Sequence, residues 1–200
     1  MEKELITPLC HLGAKYASDK SPLVHHSYTP YYYEIMNPVR KKVKKFFEIG
    51  IGFPETMFHM SEEWWRKYKP GASFFMWQDF FPNAQIYGCD IKPEVMIKED
   101  RIETFICDQA DSGKMCSLVE KIGGEFDFIV DDGSHVVDHQ IISAIALFPY
   151  LTSDGVYIIE DVKKEHVEKI TCSLNQMEVS YGVHRFNEAG NDDILISITK

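Results

Sequence analysis

No apolar run in this chain approaches the roughly 18 residues needed to span a membrane, so no membrane partner is expected. The opening Met1-Glu-Lys-Glu4 lacks the basic-then-apolar layout of a secretory leader, which points to a cytoplasmic location. Cysteine is thinly spread, with five residues at 10, 89, 107, 116 and 172 and no Cys-x-x-Cys pair. That spacing argues against a disulfide framework or a cysteine zinc site and fits reduced thiols. Positive charge is also short, with 21 Lys and Arg against 31 Asp and Glu for a formal net charge of −10. A nucleic-acid partner is therefore not expected, whereas a small molecule or a cation is. No internal repeat or low-complexity segment interrupts the chain.

What is present is a chain of 200 residues, 44% hydrophobic and 26% charged, as for one domain with a sizeable core. Its strongest signal is Phe126-Asp-Phe-Ile-Val-Asp-Asp-Gly-Ser-His135. An apolar strand ends there in Asp131 and Asp132, and Gly133 frees a turn. Ser134 is placed to cap a helix over Val136–Tyr150, with His135 in its first turn. Further strands are expected over Lys44–Ile51, Ile86–Ile91, Ile102–Cys107 and Val156–Ile159. A closing pair is expected over Glu178–Phe186 and Ile194–Thr199, around a turn at 187–192. Helices are expected over Ala72–Phe81, 111–122 and Lys163–Cys172, and a turn at Ser153-Asp-Gly155. Residues 53–71 look like an insertion with Trp64 and Trp65 on a short helix.

Alternating strands and helices predict a parallel sheet with right-handed crossovers. The expected fold class is α/β, a Rossmann-like three-layer sandwich whose seven-stranded, mostly parallel sheet has an antiparallel C-terminal hairpin. One domain is expected, residues 1–43 forming a helical lid segment and 44–200 the Rossmann-like core. Within 1–43, Leu5, Leu9 and Leu12 sit at helical spacing. The stretch from Lys15 to Tyr33, dense in Tyr, His, Asp and Lys and broken by Pro22 and Pro30, reads either as a surface arm or as a lid.

The acids fall in a pattern. Asp90, Asp108, Asp131–Asp132 and Glu160–Asp161 each close one of the parallel strands, and Glu48 lies just inside the end of another. Strands pointing one way put these carboxylates on one rim, where open α/β sheets bind ligands. Gly50 and Gly52 follow Glu48 and let the backbone approach a ligand. A hard cation held by carboxylates can bind a vicinal diol and lower its pKa, and a nearby histidine can take the proton. Plainer readings stand beside these. Asp132 can simply favour a helix N-terminus, His135 can be a packed helix residue, and Glu160–Asp161 can be a solvated strand end. His135 and His139, four apart, can form a zinc pair, although the neighbouring carboxylates favour magnesium. Trp64 and Trp65 suit a core or an interface.

The motifs Phe47-Glu-Ile-Gly-Ile-Gly52, Tyr87-Gly-Cys-Asp90, Cys107-Asp-Gln109 and Phe126–Gly133 resemble those of class I S-adenosylmethionine-dependent methyltransferases. Asp131-Asp-Gly-Ser-His-Val136, Ser18-Asp-Lys-Ser21, His26-x-Tyr28, Trp77–Pro82, His139-Gln140, Leu147-Phe-Pro149 and Ile159-Glu-Asp161 are similar to the metal-dependent macrolide sugar O-methyltransferases. The resemblance covers nearly the whole chain. It implies S-adenosylmethionine as cofactor and Mg2+ as metal. Glu48, Gly50, Gly52, Asp90, Ile91, Asp108, Gln109 and Asp131 would face the cofactor, with Tyr16 and Lys20 closing over it. Asp132 and Asp161 would hold the metal, with Glu160 or Glu48 as third ligand, and Asp132 and His135 would be catalytic, His135 as general base. Asp19, His26, Tyr28, Tyr32 and His139 would belong to the lid and acceptor side. The implied acceptor is a hydroxyl of a sugar or another small polyol, and a homo-oligomer stays open. Two other readings remain: a binding protein of this fold without catalysis, and a nicotinamide-dependent oxidoreductase. The latter would carry Gly-x-Gly-x-x-Gly, whereas position 55 is Glu.

Overall fold

From Lys45 onward strands and helices alternate, and the computed structural model gathers the strands into one sheet of eight. It describes residues 5–57, 59–187 and 191–200. The strands are β1 Lys45–Ile49, β2 Gln85–Asp90, β3 Lys98–Glu99, β4 Ile102–Ile106, β5 Phe126–Asp131, β6 Leu151–Ile159, β7 Ser180–Arg185 and β8 Ile194–Thr199. Their order is β3-β4-β2-β1-β5-β6-β8-β7. Neighbours from β4 to β6 are parallel, whereas β8 runs antiparallel to both β6 and β7. The helices are α1 Pro8–Tyr16, α2 Tyr28–Met36, α3 Glu62–Lys67, α4 Ala72–Phe80, α5 Ser112–Lys121, α6 Val137–Leu147 and α7 Val167–Gln176.

Side chains alternate across the pleat and so divide the core in two. Phe46, Phe128, Val130, Ile158 and Leu195 face Leu9 of α1, Tyr28 and Tyr32 of α2 and Trp77 of α4. Phe47, Ile49, Ile129, Tyr157 and Ile159 face Met115 of α5, Leu147 of α6 and Ile170 of α7. The central strands are apolar on both faces because both faces are covered. The N-terminal helices are thus part of one layer of the sandwich, with Leu9, Tyr28, Tyr32 and Met36 fully buried.

Three local expectations are corrected. The sheet has eight strands, not seven. The addition, β3, is a two-residue exposed edge pairing, Lys98 with Glu103 and Glu99 with Ile102, too short to leave a pattern. Ser153-Asp-Gly155 does not reverse the chain but lies inside β6, where pairing slips between Phe126 and Phe128. A side chain on Gly155 would meet the Phe126 carbonyl oxygen at 2.8 Å, so glycine allows that irregularity. Finally, α6 begins at Val137 with an extended Val136 before it, and His135 precedes the helix with φ of +55°. The turn expected at 187–192 falls partly on 188–190, and the leader reading on 1–4; both sets lie outside the described residues.

Candidate active site

The loops at the C-terminal ends of the parallel strands enclose a cavity of about 680 Å3, within the usual range for small-ligand sites. Two glycines shape its floor. Gly50 has φ of +93°, and a Cβ there would lie 2.0 Å from the Asp132 carbonyl oxygen. The β1 loop can cross the β5 loop only without a side chain. Gly52 has φ of +83°, and its Cβ would lie 2.0 Å from the Tyr68 hydroxyl. Asp90 borders the cavity and accepts from the backbone N–H groups of Ile51 at 3.0 Å and Lys92 at 2.9 Å, which fixes its carboxylate. Ile91, Asp108, Gln109 and His139 also line the cavity. Gln109 ties two loops together. Its Nε2 donates to Asp131 at 2.7 Å, and its Oε1 accepts from the Ser134 backbone N–H at 2.9 Å.

Asp132, His135 and Asp161 converge on the cavity, with one ligand atom from each within 4.8 Å of the others. His135 Nε2 lies 3.1 Å from Asp132 Oδ1 and 3.5 Å from Asp161 Oδ2. The left-handed backbone at His135 turns the ring to these partners, and the preceding Ser134 bonds His139 Nδ1 at 2.9 Å through its hydroxyl. No His135–His139 pair on one helix therefore forms. Burial works against a charge on His135, but the Asp132 hydrogen bond and the Asp161 charge outweigh it, and its pKa is pushed up to about 9. The Tyr28 hydroxyl donates to Asp161 at 2.5 Å, and His26 lies beside the same acid at 3.8 Å.

Seven expected site residues lie elsewhere than on the cavity surface. Asp131 is fully buried on the other sheet face and accepts from Gln109, from Ser143 at 2.5 Å and from Tyr157 at 3.1 Å. It is a structural hub, and burial pushes its pKa up to about 6. Glu48 is fully buried and accepts from Trp77 Nε1 at 2.8 Å. Glu160 is buried with its carboxylate bonded to Lys20 and Tyr32, so it does not join the Asp132–Asp161 cluster. Lys20 is not a lid residue on the surface but a buried cation, 1% exposed. Its Nζ lies 2.5 Å from Asp132 Oδ2, 2.5 Å from Glu160 Oε2 and 3.3 Å from Glu48 Oε1. Burial lowers the pKa of Lys20, but Asp132, Glu160 and Glu48 together raise it well above the usual range. Tyr32 and Tyr28 are buried in the core. Tyr16 points away, donating to Asp79 at 2.7 Å. Of the remaining lid candidates, Asp19 and His26 do line the cavity.

The geometry agrees with the comparisons to known proteins. The chain is 35% identical over 154 residues to the mycinamicin VI 2''-O-methyltransferase of Micromonospora griseorubida, covering 77% of this chain and 36% of that protein. It is 36% identical, over the same shares, to the demethylmacrocin O-methyltransferase of Streptomyces fradiae. Among solved structures it resembles the MycE methyltransferase from the mycinamycin pathway in complex with Mg, SAH and mycinamycin VI. The TM-score is 0.73 at 27% identity, over 97% of this chain and 54% of that one. The chain has the α/β methyltransferase fold. No model of a protein family matches it. This methyltransferase-fold chain spans about a third, 36%, of the length of those curated relatives.

Reading the sequence as a methyltransferase missed part of the cavity wall. Residues 53–71, taken as an insertion, contribute Phe53, Thr56, Met57, His59 and Tyr68 to it, and His25 and Asp192 join from elsewhere. The bracketing Gly52 and Gly71, both with positive φ, were the available signal that this segment folds back over the glycine loop. Trp65 is 48% exposed and donates to the Pro54 carbonyl at 3.1 Å, outside the core.

Proposed function

We propose that this chain is the catalytic domain of an S-adenosylmethionine-dependent O-methyltransferase that acts, with a divalent cation, on a hydroxyl of a sugar-bearing small molecule. The observation that carries this is the convergence of Asp132, His135 and Asp161 in the same cavity as Asp90 and the glycine loop. Asp90, at the end of β2, holds the ribose hydroxyls of the cofactor, with Ile91 and Asp108 beside the nucleoside. Gly50 and Gly52 leave room for its methionine part. The sulfonium of the cofactor supplies the methyl group. Two cavity-facing carboxylates are a hard-oxygen donor set, so Asp132 and Asp161 suit Mg2+, which would bind neighbouring acceptor hydroxyls and lower their pKa. Glu160 is withheld from that set by Lys20 and Tyr32. His135 takes the hydroxyl proton once its two carboxylate partners are engaged elsewhere and no longer hold its ring protonated.

The acceptor class rests on the relatives, which act on glycosylated macrolides and tetracenomycins. The N-terminal helices share a core with the sheet, which supports one folding unit. No helix among the described residues is long and apolar enough to cross a membrane. Free Cys10, Cys89, Cys107, Cys116 and Cys172 support a reducing, cytoplasmic setting. Titration of S-adenosylhomocysteine by calorimetry tests the cofactor, and turnover of a panel of deoxysugar glycosides, with and without Mg2+, tests the reaction. Asp132→Asn is expected to keep cofactor binding and lose turnover. Absence of binding by the unmodified chain sinks the methyltransferase reading. Binding without modification of any glycoside favours a non-catalytic binding protein.

A further inference from the structure

Three imidazoles meet at the cavity beside the carboxylate cluster, with His26 Nε2 3.8 Å from Asp161 Oδ1. His25 and His26 come from the segment between α1 and α2, and His59 from the loop between β1 and α3. One ligand nitrogen from each lies within 4.8 Å of the others. The His25 ring centroid is 4.3 Å from that of His26 and 4.7 Å from that of His59. Two of the three rings are backed by carboxylates. Asp193 Oδ1 lies 2.6 Å from His26 Nδ1, and Asp19 Oδ2 lies 3.2 Å from His59 Nε2. All three histidines line the cavity.

We propose that His25, His26 and His59 form a binding site for a borderline divalent ion of the Zn2+ class, adjacent to the Asp132–Asp161 site but with its own ligands. The donor type sets the preference. Imidazole nitrogens select zinc, cobalt, nickel or copper, whereas Mg2+ seeks oxygen. The carboxylates stand where ligating histidines usually keep theirs. Asp193 at His26 Nδ1 holds the proton there and leaves the lone pair on Nε2, the nitrogen on the Asp161 side of the ring. The His59–Asp19 separation of 3.2 Å is close to the roughly 3.3 Å between two ligand atoms of a tetrahedral zinc with bonds of about 2.0–2.1 Å. Asp19 can therefore either orient His59 or supply the fourth ligand. The three nitrogens must draw together to reach such bonds. His26 is buried, whereas His25 and His59 are exposed, and rotation about their side-chain bonds, with loss of the present His59 contacts to Asp19 and the Thr56 backbone, brings the nitrogens together. Because the ligands come from two segments that both wall the cavity, an ion there ties the N-terminal segment to the β1–α3 loop at the cavity.

The test is zinc binding by equilibrium dialysis to the whole chain with Mg2+ in excess, together with the visible absorption of Co2+ in place of zinc. The unmodified protein is expected to bind one zinc and to give the intense bands of a four-coordinate cobalt centre. His25→Asn and His59→Asn, each alone, are expected to weaken zinc binding at least about tenfold, since loss of even an outer partner costs that much. Both positions are exposed, and far-UV circular dichroism checks that each variant folds. Asp132→Asn is expected to leave this zinc in place. Zinc affinity unchanged in both histidine variants overturns the proposal. So does zinc lost in Asp132→Asn, or no zinc bound in the presence of Mg2+.

Discussion

Replacing Lys20 by Met removes the one cation, among the described residues, that faces Glu48, Asp132 and Glu160 together, while keeping most of the side-chain volume. Lys20, Glu48 and Glu160 are each no more than 1% exposed. Water cannot replace the lost ammonium. Breaking a buried ion pair from one side costs about 3–5 kcal/mol, because the remaining charge stays desolvated. For a domain of this size that corresponds to a fall in Tm of roughly 6–20 °C. The sign with pH follows from the carboxyls left behind. Without Lys20 the folded pKa values of Glu48 and Glu160, already raised by burial, rise further above the unfolded ones. Stability is then present at low pH, where they are protonated, and is lost as pH rises through the folded values. The gap between Lys20→Met and the unmodified chain should therefore widen from about pH 5.5 to about pH 8. Urea unfolding followed by Trp fluorescence, in chelator, reads it directly, since Trp77 donates to Glu48 within this cluster. A loss under about 1 kcal/mol near pH 8, or a gap that does not change with pH, would refute the reasoning.

The same cluster makes Glu48→Gln informative. Burial pushes the Glu48 pKa from 4.5 up to about 7, so the unmodified chain loses roughly 3 kcal/mol from this group as pH climbs through that interval. Glu48→Gln keeps an acceptor for Trp77 and should flatten that part of the stability–pH curve; an unchanged slope in urea unfolding counts against the assignment. Gly50→Ala places a methyl group 2.0 Å from the Asp132 carbonyl oxygen at a φ of +93°. It should cost at least about 1–2 kcal/mol and displace the loop. S-adenosylhomocysteine affinity by calorimetry should fall at least tenfold; equal affinity removes the glycine loop from the cofactor site.

The layers were legible because their signal is local. Apolar runs of strand length between helical patterns placed β1, β2, β4, β5 and β8 within a residue or two, and strand ends marked the cavity. What was not legible is what depends on distant partners. Lys20 meets Asp132 across 112 residues and Glu160 across 140, so nothing near Ser18-Asp-Lys-Ser21 announces a buried ion pair. Tyr16 illustrates the reverse error. It sits close in sequence to cavity residues, yet α1 carries it outward to Asp79. The loop at 53–61 walls the cavity without regular strand or helix periodicity, so its histidine drew no notice.

The acids themselves show how one rule of strand geometry sorts a motif into two kinds of residue. Seven carboxylates cluster at the ends of parallel strands, but only Asp90, Asp108, Asp132 and Asp161 reach the cavity. Pairing aligns Ile49 with Asp131 and Asp131 with Ile159, so Asp131 faces the α5–α7 layer together with those apolar neighbours. It is satisfied there by Gln109, Ser143 and Tyr157. One residue on, parity reverses. Glu48 and Glu160 fall on the same side as Phe46 and Ile158, toward α1, α2 and α4, where each would be a desolvated charge. The segment joining α1 to α2 delivers Lys20 to both of them, and its third contact is Asp132, which also faces the cavity. A single ammonium thus offsets the burial of two acids and leans on a third that belongs to the candidate metal site. The N-terminal helices, expected to act as a lid, are in consequence needed for the electrostatics of the cavity floor as much as for its cover.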